Sequence, residues 1–247
     1  MMHRLLAPVL AFGLALPAAS MDLKELSDAE RAQFRAEVRA YLMENPEVIM
    51  EAVEVLQNRE AEQKAQADVN LVADNAEAIF NDGYSWVGGN PDGDITLVEF
   101  LDYRCSYCKR AHSEVAKLLE TDGNIRMIVK EFPILGEQSV LASRFAIATR
   151  QIAGPDSYKA ITDALMMFNG DITVPALRRL ASTFGLDADA IEAGMDSDEI
   201  TREIAEIRAL AQRLNISGTP TFVMQDELLR GYLPYDQMRA IVEEKRG

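Results

Sequence analysis

The only two cysteines of the chain, Cys105 and Cys108, are separated by Ser106 and Tyr107. The preceding segment 95–101 is rich in β-branched and aromatic residues, as a strand is, and apolar residues recur at helical spacing after Ser106. Cys105 is therefore predicted at a helix N-terminus, where free backbone N–H groups and the helix dipole stabilise a thiolate and lower its pKa. Cys108 follows one turn later, close enough to form a disulfide. This spacing favours thiol–disulfide exchange, with Cys105 as an exposed nucleophile and Cys108 as the resolving thiol.

Other interpretations of the two cysteines remain open. A structural disulfide between them would close a very small loop and would therefore stabilise the fold little. A zinc or copper site would add His112 as a third ligand in a row spaced by one helical turn, although no second CxxC motif or histidine pair accompanies it. Two structural cysteines could also lie near each other by chance.

Glu99 is the one charged residue of the segment 95–101, which is otherwise apolar on both faces, as a buried central strand is. If Glu99 lies beneath the cysteine helix, desolvation raises its pKa and lets it accept the proton of the inner thiol. Lys130, in the next predicted strand 125–132, is the opposite charge expected to pair with Glu99 if both are buried. A surface position for Lys130 is the alternative.

The order of the predicted elements indicates an α/β fold. Strand, helix and strand from residue 95 to 132 predict a right-handed crossover with two parallel strands. Helical patterns then replace strands over about 136–215, and a loop at 215–220 leads into a short hairpin and a terminal helix. We therefore predict one compact domain at 81–247 with an all-helical insertion.

Residues 21–80 are predicted to form an N-terminal helical arm and linker. Ser27 and Glu30 have the spacing of a capping box, and a second helix from Glu47 carries a broad apolar stripe. The helix is polar over 57–68 and regains an apolar side over 69–80. The stripe favours a homo-oligomer in which it packs against the same arm of another subunit, and folding back onto its own domain is the alternative.

The N-terminus and the charge of the chain indicate its surroundings. Arg4, a short apolar run at 5–16 and small residues before Met21 predict a cleaved secretory signal at 1–20. Export and a single cysteine pair suit an oxidising compartment, and we expect the bacterial periplasm. The net charge of −15 argues against a nucleic-acid partner, which would require a basic surface.

Residues 84–247 resemble the thioredoxin-fold proteins of the DsbA family, through the motifs VEFLDYRCSYC and GTPT. The resemblance implies that Cys105 is the nucleophile, that Cys108 resolves, and that Pro220 is a cis-proline opposite them. It also implies that the backbone of Thr219 pairs with an extended segment of the substrate.

The same resemblance implies that Glu99 is the buried acid of the family and Lys130 its charge partner. The arm, with its run YLMENPEVIMEAVEVLQ, is similar to the oligomerising segment of the suppressor of copper sensitivity protein C (ScsC) group. Some members of that group act as disulfide isomerases.

The dipeptide Ser106-Tyr107 departs from the Pro-His of the strongly oxidising family members. Without the histidine we expect Cys105 to be less acidic and the disulfide less oxidising. This favours an isomerase or reductase of unfolded or misfolded exported proteins, kept reduced by a membrane redox partner. A DsbA-like oxidase and a copper-sequestering protein are the alternatives, and the enzyme interpretation requires no cofactor or resident metal.

Overall fold

The computed structural model describes residues 26–247, so the predicted signal at 1–20 lies outside the described residues. The chain divides into two compact units, one ending at Arg59 and the other comprising residues 60–247. The elements are α1 (Asp28–Glu44), α2 (Glu47–Asp74), α3 (Ala76–Phe80), β1 (Trp86–Gly89), β2 (Ile95–Leu101), α4 (Ser106–Asp122), β3 (Ile125–Glu131), α5 (Glu137–Met167), α6 (Val174–Thr183), α7 (Ala188–Gly194), α8 (Asp198–Arg213), β4 (Thr221–Met224), β5 (Glu227–Arg230) and α9 (Tyr235–Arg246).

The second unit contains a five-stranded sheet in the order β1-β3-β2-β4-β5. β2 and β3 pair in parallel around α4, as the crossover predicts, and β4 lies antiparallel to β2 and forms a hairpin with β5. Helices α5–α8 occupy the interval between β3 and β4. The predicted α/β class with a helical insertion is confirmed.

Alternating residues of β2 pack into two different cores, one on each face of the sheet. Leu97 and Leu101 belong to the core that contains Cys108. Val98 and Phe100 belong to the core on the opposite face. The alternation therefore decides which charged strand residues can reach the cysteines.

Residues 60–80 form part of the second unit. Val72 is 2% exposed and Ile79 is 0% exposed, and both pack with Val98 and Phe100 in the second core. The apolar side that the sequence regains over 69–80 is thus the part that contacts the sheet. The compact unit thus begins at residue 60, before the predicted boundary at residue 80. The sequence of a helical linker and that of a helix end packed on a sheet show the same apolar pattern, so the sequence alone does not separate them.

In the described part of the first unit the predicted capping box is present, and the Ser27 backbone N–H donates to Glu30 Oε2 at 2.9 Å. Helix α1 buries none of its residues. Most large apolar side chains of α1 and of α2 up to residue 56 are exposed, and Leu42 and Val48 are half-buried. The exposed ones are Phe34, Val38, Tyr41, Met43, Ile49, Met50, Val53, Val55 and Leu56. No helix within residues 26–247 combines the length and the apolar character needed to cross a membrane.

Candidate active site

A buried carboxylate fixes the turn between β2 and α4. Asp102 Oδ1 accepts from the Arg104 backbone N–H at 2.7 Å and from Ser139 Oγ at 2.8 Å. Its Oδ2 accepts from the backbone N–H groups of residues 134–135 at 2.8 and 3.0 Å. These four bonds hold the segment that ends at Cys105 against the loop after β3. Sequence reasoning missed Asp102, although an acid directly after a buried strand was a usable signal.

Both cysteines are thiols and lie where the motif places them, with Cys105 as the N-cap of α4 and Cys108 in its first turn. Cys105 is 7% exposed and Cys108 is 0% exposed. The prediction of an exposed nucleophile is therefore wrong in degree, because the Thr219 loop lies over Cys105. The Cys105 Sγ donates to the Thr219 carbonyl oxygen at 3.1 Å.

The two thiols differ strongly in acidity. A hydrogen bond from the Cys108 thiol lowers the pKa of Cys105 to about 5, against the effect of burial, and the backbone N–H groups of Tyr107 and Cys108 act in the same direction. The same bond to Cys105, then burial and the charge of Glu99, raise the pKa of Cys108. At neutral pH Cys105 is thus the available thiolate and Cys108 keeps its proton.

The two residues between the cysteines are both exposed, Tyr107 to 58%. Within residues 26–247 neither side chain forms a hydrogen bond to the thiols. Of these two residues, only Tyr107 lowers the pKa of Cys105, and it does so through its backbone N–H. The expectation that this dipeptide gives a weaker oxidant than Pro-His stays a prediction.

The segment 218–221 faces the cysteine pair. The peptide bond between Thr219 and Pro220 is cis. The Pro220 carbonyl accepts from the Gly231 backbone N–H at 3.0 Å, and Thr221 Oγ1 donates to the Gly218 carbonyl at 2.9 Å. These bonds fix both sides of the Thr219 peptide, so that its carbonyl lies at Cys105. The Thr219 backbone N–H has no hydrogen-bond partner in the described part of the chain.

Glu99 lies beneath α4 in the same core as Cys108 and is buried. Burial raises the pKa of Glu99 to about 8, with smaller contributions from the charges of Cys105 and Glu131. One of its carboxyl oxygens has no hydrogen-bond partner among residues 26–247. Glu99 also lines a cavity of about 50 Å³ whose wall includes His112 and Asp163, which are 3.0 Å apart. Glu99 can therefore carry a proton near neutral pH beside Cys108.

The raised pKa of Glu99 predicts a pH-dependent stability. An unfolded glutamate loses its proton near pH 4.5 and the folded one near pH 8. Between these values only the unfolded state has lost the proton, so the free energy of unfolding falls as pH rises, by up to about 1.4 kcal/mol per pH unit. Below pH 4.5 the stabilising contribution of Glu99 to the free energy of unfolding is fully present. Urea denaturation of the reduced protein from pH 5 to 8 should show a shallower fall in Glu99→Gln.

The exposed Glu120 supplies the matched control for this prediction. Glu120→Gln should keep the slope of the wild type. Equal slopes in Glu99→Gln and the wild type would show that Glu99 is already ionised in the folded protein.

Lys130 does not pair with Glu99, and that prediction is wrong. Lys130 is buried, but its side chain lies on the opposite face of the sheet, because β2 and β3 pair Phe100 with Lys130 and alternate residues face opposite sides. Its Nζ donates to the Ala78 carbonyl at 3.0 Å and to Asp82 Oδ2 at 2.5 Å. Lys130 therefore ties α3 and the turn after it to the sheet.

A second buried acid, Glu131, lies on the face of Glu99. Glu131 Oε1 accepts from the hydroxyls of Tyr103 and Tyr158, both at 2.6 Å, and its Oε2 accepts from Ser143 Oγ at 2.7 Å. Sequence reasoning missed this cluster. The signal was present, since an acidic residue directly follows Lys130 in the largely apolar run 125–132.

The copper interpretation of the cysteines gains no ligand set from the described residues. His112 contacts Asp163. Within residues 26–247 no group of three or more histidine, cysteine, aspartate or glutamate side chains is arranged to hold a metal ion.

Two family models match the chain. The model of the DSBA-like thioredoxin domain matches residues 96–243, and that of the copper resistance protein ScsC N-terminal domain matches residues 30–63. Disulfide bond formation protein D of Bacillus subtilis is 25% identical over 169 residues, which are 64% of this chain and 75% of that protein. The chain spans only 22% to 26% of the Na⁺/H⁺ antiporters that are also among its curated relatives.

Solved structures of thioredoxin-like and ScsC proteins are also similar to this chain. A thioredoxin-like oxidoreductase from Silicibacter pomeroyi is 42% identical with a TM-score of 0.66, covering 70% of this chain and 98% of its own. Proteus mirabilis ScsC in a transitional conformation is 29% identical with a TM-score of 0.65, covering 89% of this chain and 98% of its own. The similarity to ScsC thus extends over the arm as well as the domain with the cysteines.

Proposed function

The chain belongs to the family of DSBA-like thioredoxin domains, and on that basis we propose that this thiol–disulfide oxidoreductase isomerises or reduces the disulfides of exported proteins. The observation that carries the direction is the dipeptide between the cysteines, because among residues 26–247 neither the Ser106 nor the Tyr107 side chain forms a hydrogen bond to the thiols. The Cys105 thiolate is stabilised by the Cys108 thiol and by backbone N–H groups instead. A less stabilised thiolate makes a less oxidising disulfide, because reduction then yields a less favoured product.

In the proposed reaction the Cys105 thiolate attacks a substrate disulfide. The substrate S–S bond breaks, a new S–S bond joins Cys105 to one substrate sulfur, and the other substrate sulfur leaves as a thiolate. That thiolate can attack elsewhere in the substrate, which isomerises its disulfides without net electron transfer. Alternatively Cys108 attacks Cys105, releases the reduced substrate and forms the Cys105–Cys108 disulfide. The enzyme is then oxidised by two electrons, which reduce the substrate disulfide.

Glu99 is the proposed acceptor for the proton that Cys108 must lose when it attacks. The raised pKa of Cys108 makes unassisted ionisation at neutral pH rare. Glu99 lies between Leu97 and Leu101 on the face of the sheet that packs against Cys108, and in its ionised form it raises the pKa of the Cys108 thiol. A carboxylate with a raised pKa is a better base than an exposed one, which suits it to this step.

We propose that the substrate lies along Thr219 as an extended segment. The Thr219 backbone N–H, which has no partner among residues 26–247, can donate to a substrate carbonyl, and the carbonyl of the same residue lies beside Cys105. A backbone contact of this kind accepts many sequences, as an enzyme acting on varied misfolded proteins requires.

The arm is proposed to hold several such sites together in a homo-oligomer. Its support is the exposed apolar face of α1 and the first part of α2, and the match of residues 30–63 to the ScsC N-terminal domain. An isomerase must be kept reduced, so a membrane redox partner is part of the proposal. The signal pattern at 1–20 supports a periplasmic location.

A DsbA-like oxidase is the second candidate, and the pKa of about 5 at Cys105 favours it. That value lies well below the ordinary thiol pKa of about 8.5, though above the value near 3.5 of the strongest oxidants. The same chemistry would then run in reverse, passing the Cys105–Cys108 disulfide to reduced substrates.

Two assays with one substrate separate the candidates. An isomerase restores activity to scrambled ribonuclease A when reduced enzyme is supplied, and Cys105→Ser should lose this activity. Oxidised enzyme added to reduced ribonuclease A measures the oxidase reaction. Activity in the second assay alone would overturn the proposed function.

A further inference from the structure

Glu131 forms a buried polar cluster that the reaction above does not use. Tyr103, Tyr158 and Ser143 donate to it at 2.6, 2.6 and 2.7 Å, and all four residues are buried. A carboxyl in this position gives up its hydration, and the three hydroxyl donors replace only part of it. An apolar side chain of similar volume would fill the same core without this loss of hydration. Packing alone therefore does not explain why an acid stands here.

The cluster is directly connected to the redox site. Tyr103 stands two residues before Cys105 in the turn that carries the thiol. In the parallel pair Leu101 is opposite Glu131, so Glu131 and Glu99 occupy the same face of neighbouring strands. Strand spacing and rise place their Cα atoms about 8 Å apart.

Other charged groups around Glu131 come from two helices. On α5, Arg150 lies with its guanidinium 5.8 Å from the Tyr158 ring. On α8, Glu203 accepts from Arg150 at 2.7 Å, and the opposite charges of these two residues largely neutralise each other. Facing Glu99 are the two thiols, and across its cavity Lys159, His112 and Asp163. Glu131 is thus the one carboxyl beside Glu99 on the sheet that no cation of the described chain contacts.

We propose that Glu131 is a positioning residue for the resolving step: its charge, held by Tyr103 and Tyr158, sets the proton affinity of Glu99. The proposal rests on the assignment of Cys105 and Cys108 as the redox pair. When Cys108 attacks the mixed disulfide, its proton passes to the Glu99 carboxylate. The Cys105–Cys108 bond forms and the substrate sulfur leaves as a thiolate.

Glu131 is suited to this role in the mixed disulfide. Cys105 then carries no charge, so Glu131 is the remaining negative group that raises the pKa of Glu99. Burial raises the pKa of Glu131 itself to about 7. If the two carboxyl groups are as far apart as their Cα atoms, about 8 Å, an effective dielectric constant near 20 gives a change of about 1.5 units in each other's pKa.

The test is the pH profile of resolution. Full-length protein is loaded with glutathione on Cys105, and release of glutathione by Cys108 is followed from pH 5 to 9. Glu131→Gln should move the midpoint of the profile down by about 1.5 pH units. Glutamine keeps the hydrogen bonds, because its carbonyl accepts from both tyrosines and its amide can donate to Ser143. Exposed Glu120→Gln is the control and should leave the midpoint unchanged.

Tyr158→Phe provides an independent variant should Glu131→Gln not fold. Loss of one donor favours the neutral form of Glu131, so the midpoint should again move down. An unchanged midpoint in a folded Glu131 or Tyr158 variant, or an equal shift in Glu120→Gln, would overturn the proposal. Failure of the protein to form any glutathione adduct would instead overturn the redox assignment, and loss of isomerase activity alone would affect only the proposed function.

Discussion

Cys105→Ser should reduce thiol–disulfide exchange to the uncatalysed background, whereas Cys108→Ser should trap substrates as stable mixed disulfides. A serine at 105 cannot form the S–S bond on which every later step depends. In Cys108→Ser the attack still occurs, but the enzyme loses the thiol that releases a bound substrate. Non-reducing electrophoresis of the variants with a disulfide-containing substrate measures both outcomes.

Two replacements of Cys108 also test what lowers the pKa of Cys105. The hydrogen bond from Cys108 is the largest single cause that lowers the pKa of Cys105. Serine can still donate this bond and alanine cannot, so Cys105 should have a higher pKa in Cys108→Ala than in Cys108→Ser. Alkylation rates as a function of pH give both values. Equal values would mean that the helix N-terminus, rather than Cys108, stabilises the thiolate.

Removal of the arm should have the second large effect. A mature protein lacking residues 21–59 should be a folded, redox-active monomer with little isomerase activity, because residues 60–247 form a compact unit of their own. Deletion through residue 80 should cost several kcal/mol more. It removes two buried side chains, Val72 and Ile79, each worth about 1.5–3 kcal/mol, and the Ala78 carbonyl that accepts from Lys130. Light scattering and urea denaturation of both deletions measure these effects.

Single substitutions sharpen the test of the arm. Val53→Lys places a charge on the exposed apolar face and should dissociate the oligomer, whereas Gln57→Lys in the neighbouring polar segment should not. A monomeric intact protein in solution would contradict the proposed assembly.

Local sequence patterns predicted the part of the site that depends on local structure. The strand before the cysteines and the helix after them follow from residues 95–119, and the position of Cys105 as an N-cap follows from both. The cis peptide before Pro220 came from the family resemblance and is present in the structure. These features depend on short segments whose chemistry is readable without the rest of the fold.

The pairing of distant charges could not be predicted in the same way. Glu99 and Lys130 are both buried, as the pairing required, but strand register places them on opposite faces. Lys130 instead meets Asp82, in a turn whose position depends on the packing of Ile79. The role of residues 60–80 was missed for a related reason, since an apolar stripe does not identify the surface that covers it.

The equilibrium of the Cys105–Cys108 pair with glutathione tests the proposed direction of electron flow most directly. The dipeptide Ser106-Tyr107, which lacks the histidine of the strong oxidants, predicts a potential well below the value of about −120 mV of DsbA and near that of about −180 mV of protein disulfide isomerase. Such a pair is reduced easily enough to shuffle disulfides. A potential at or above about −120 mV would contradict the account and identify the protein as an oxidase.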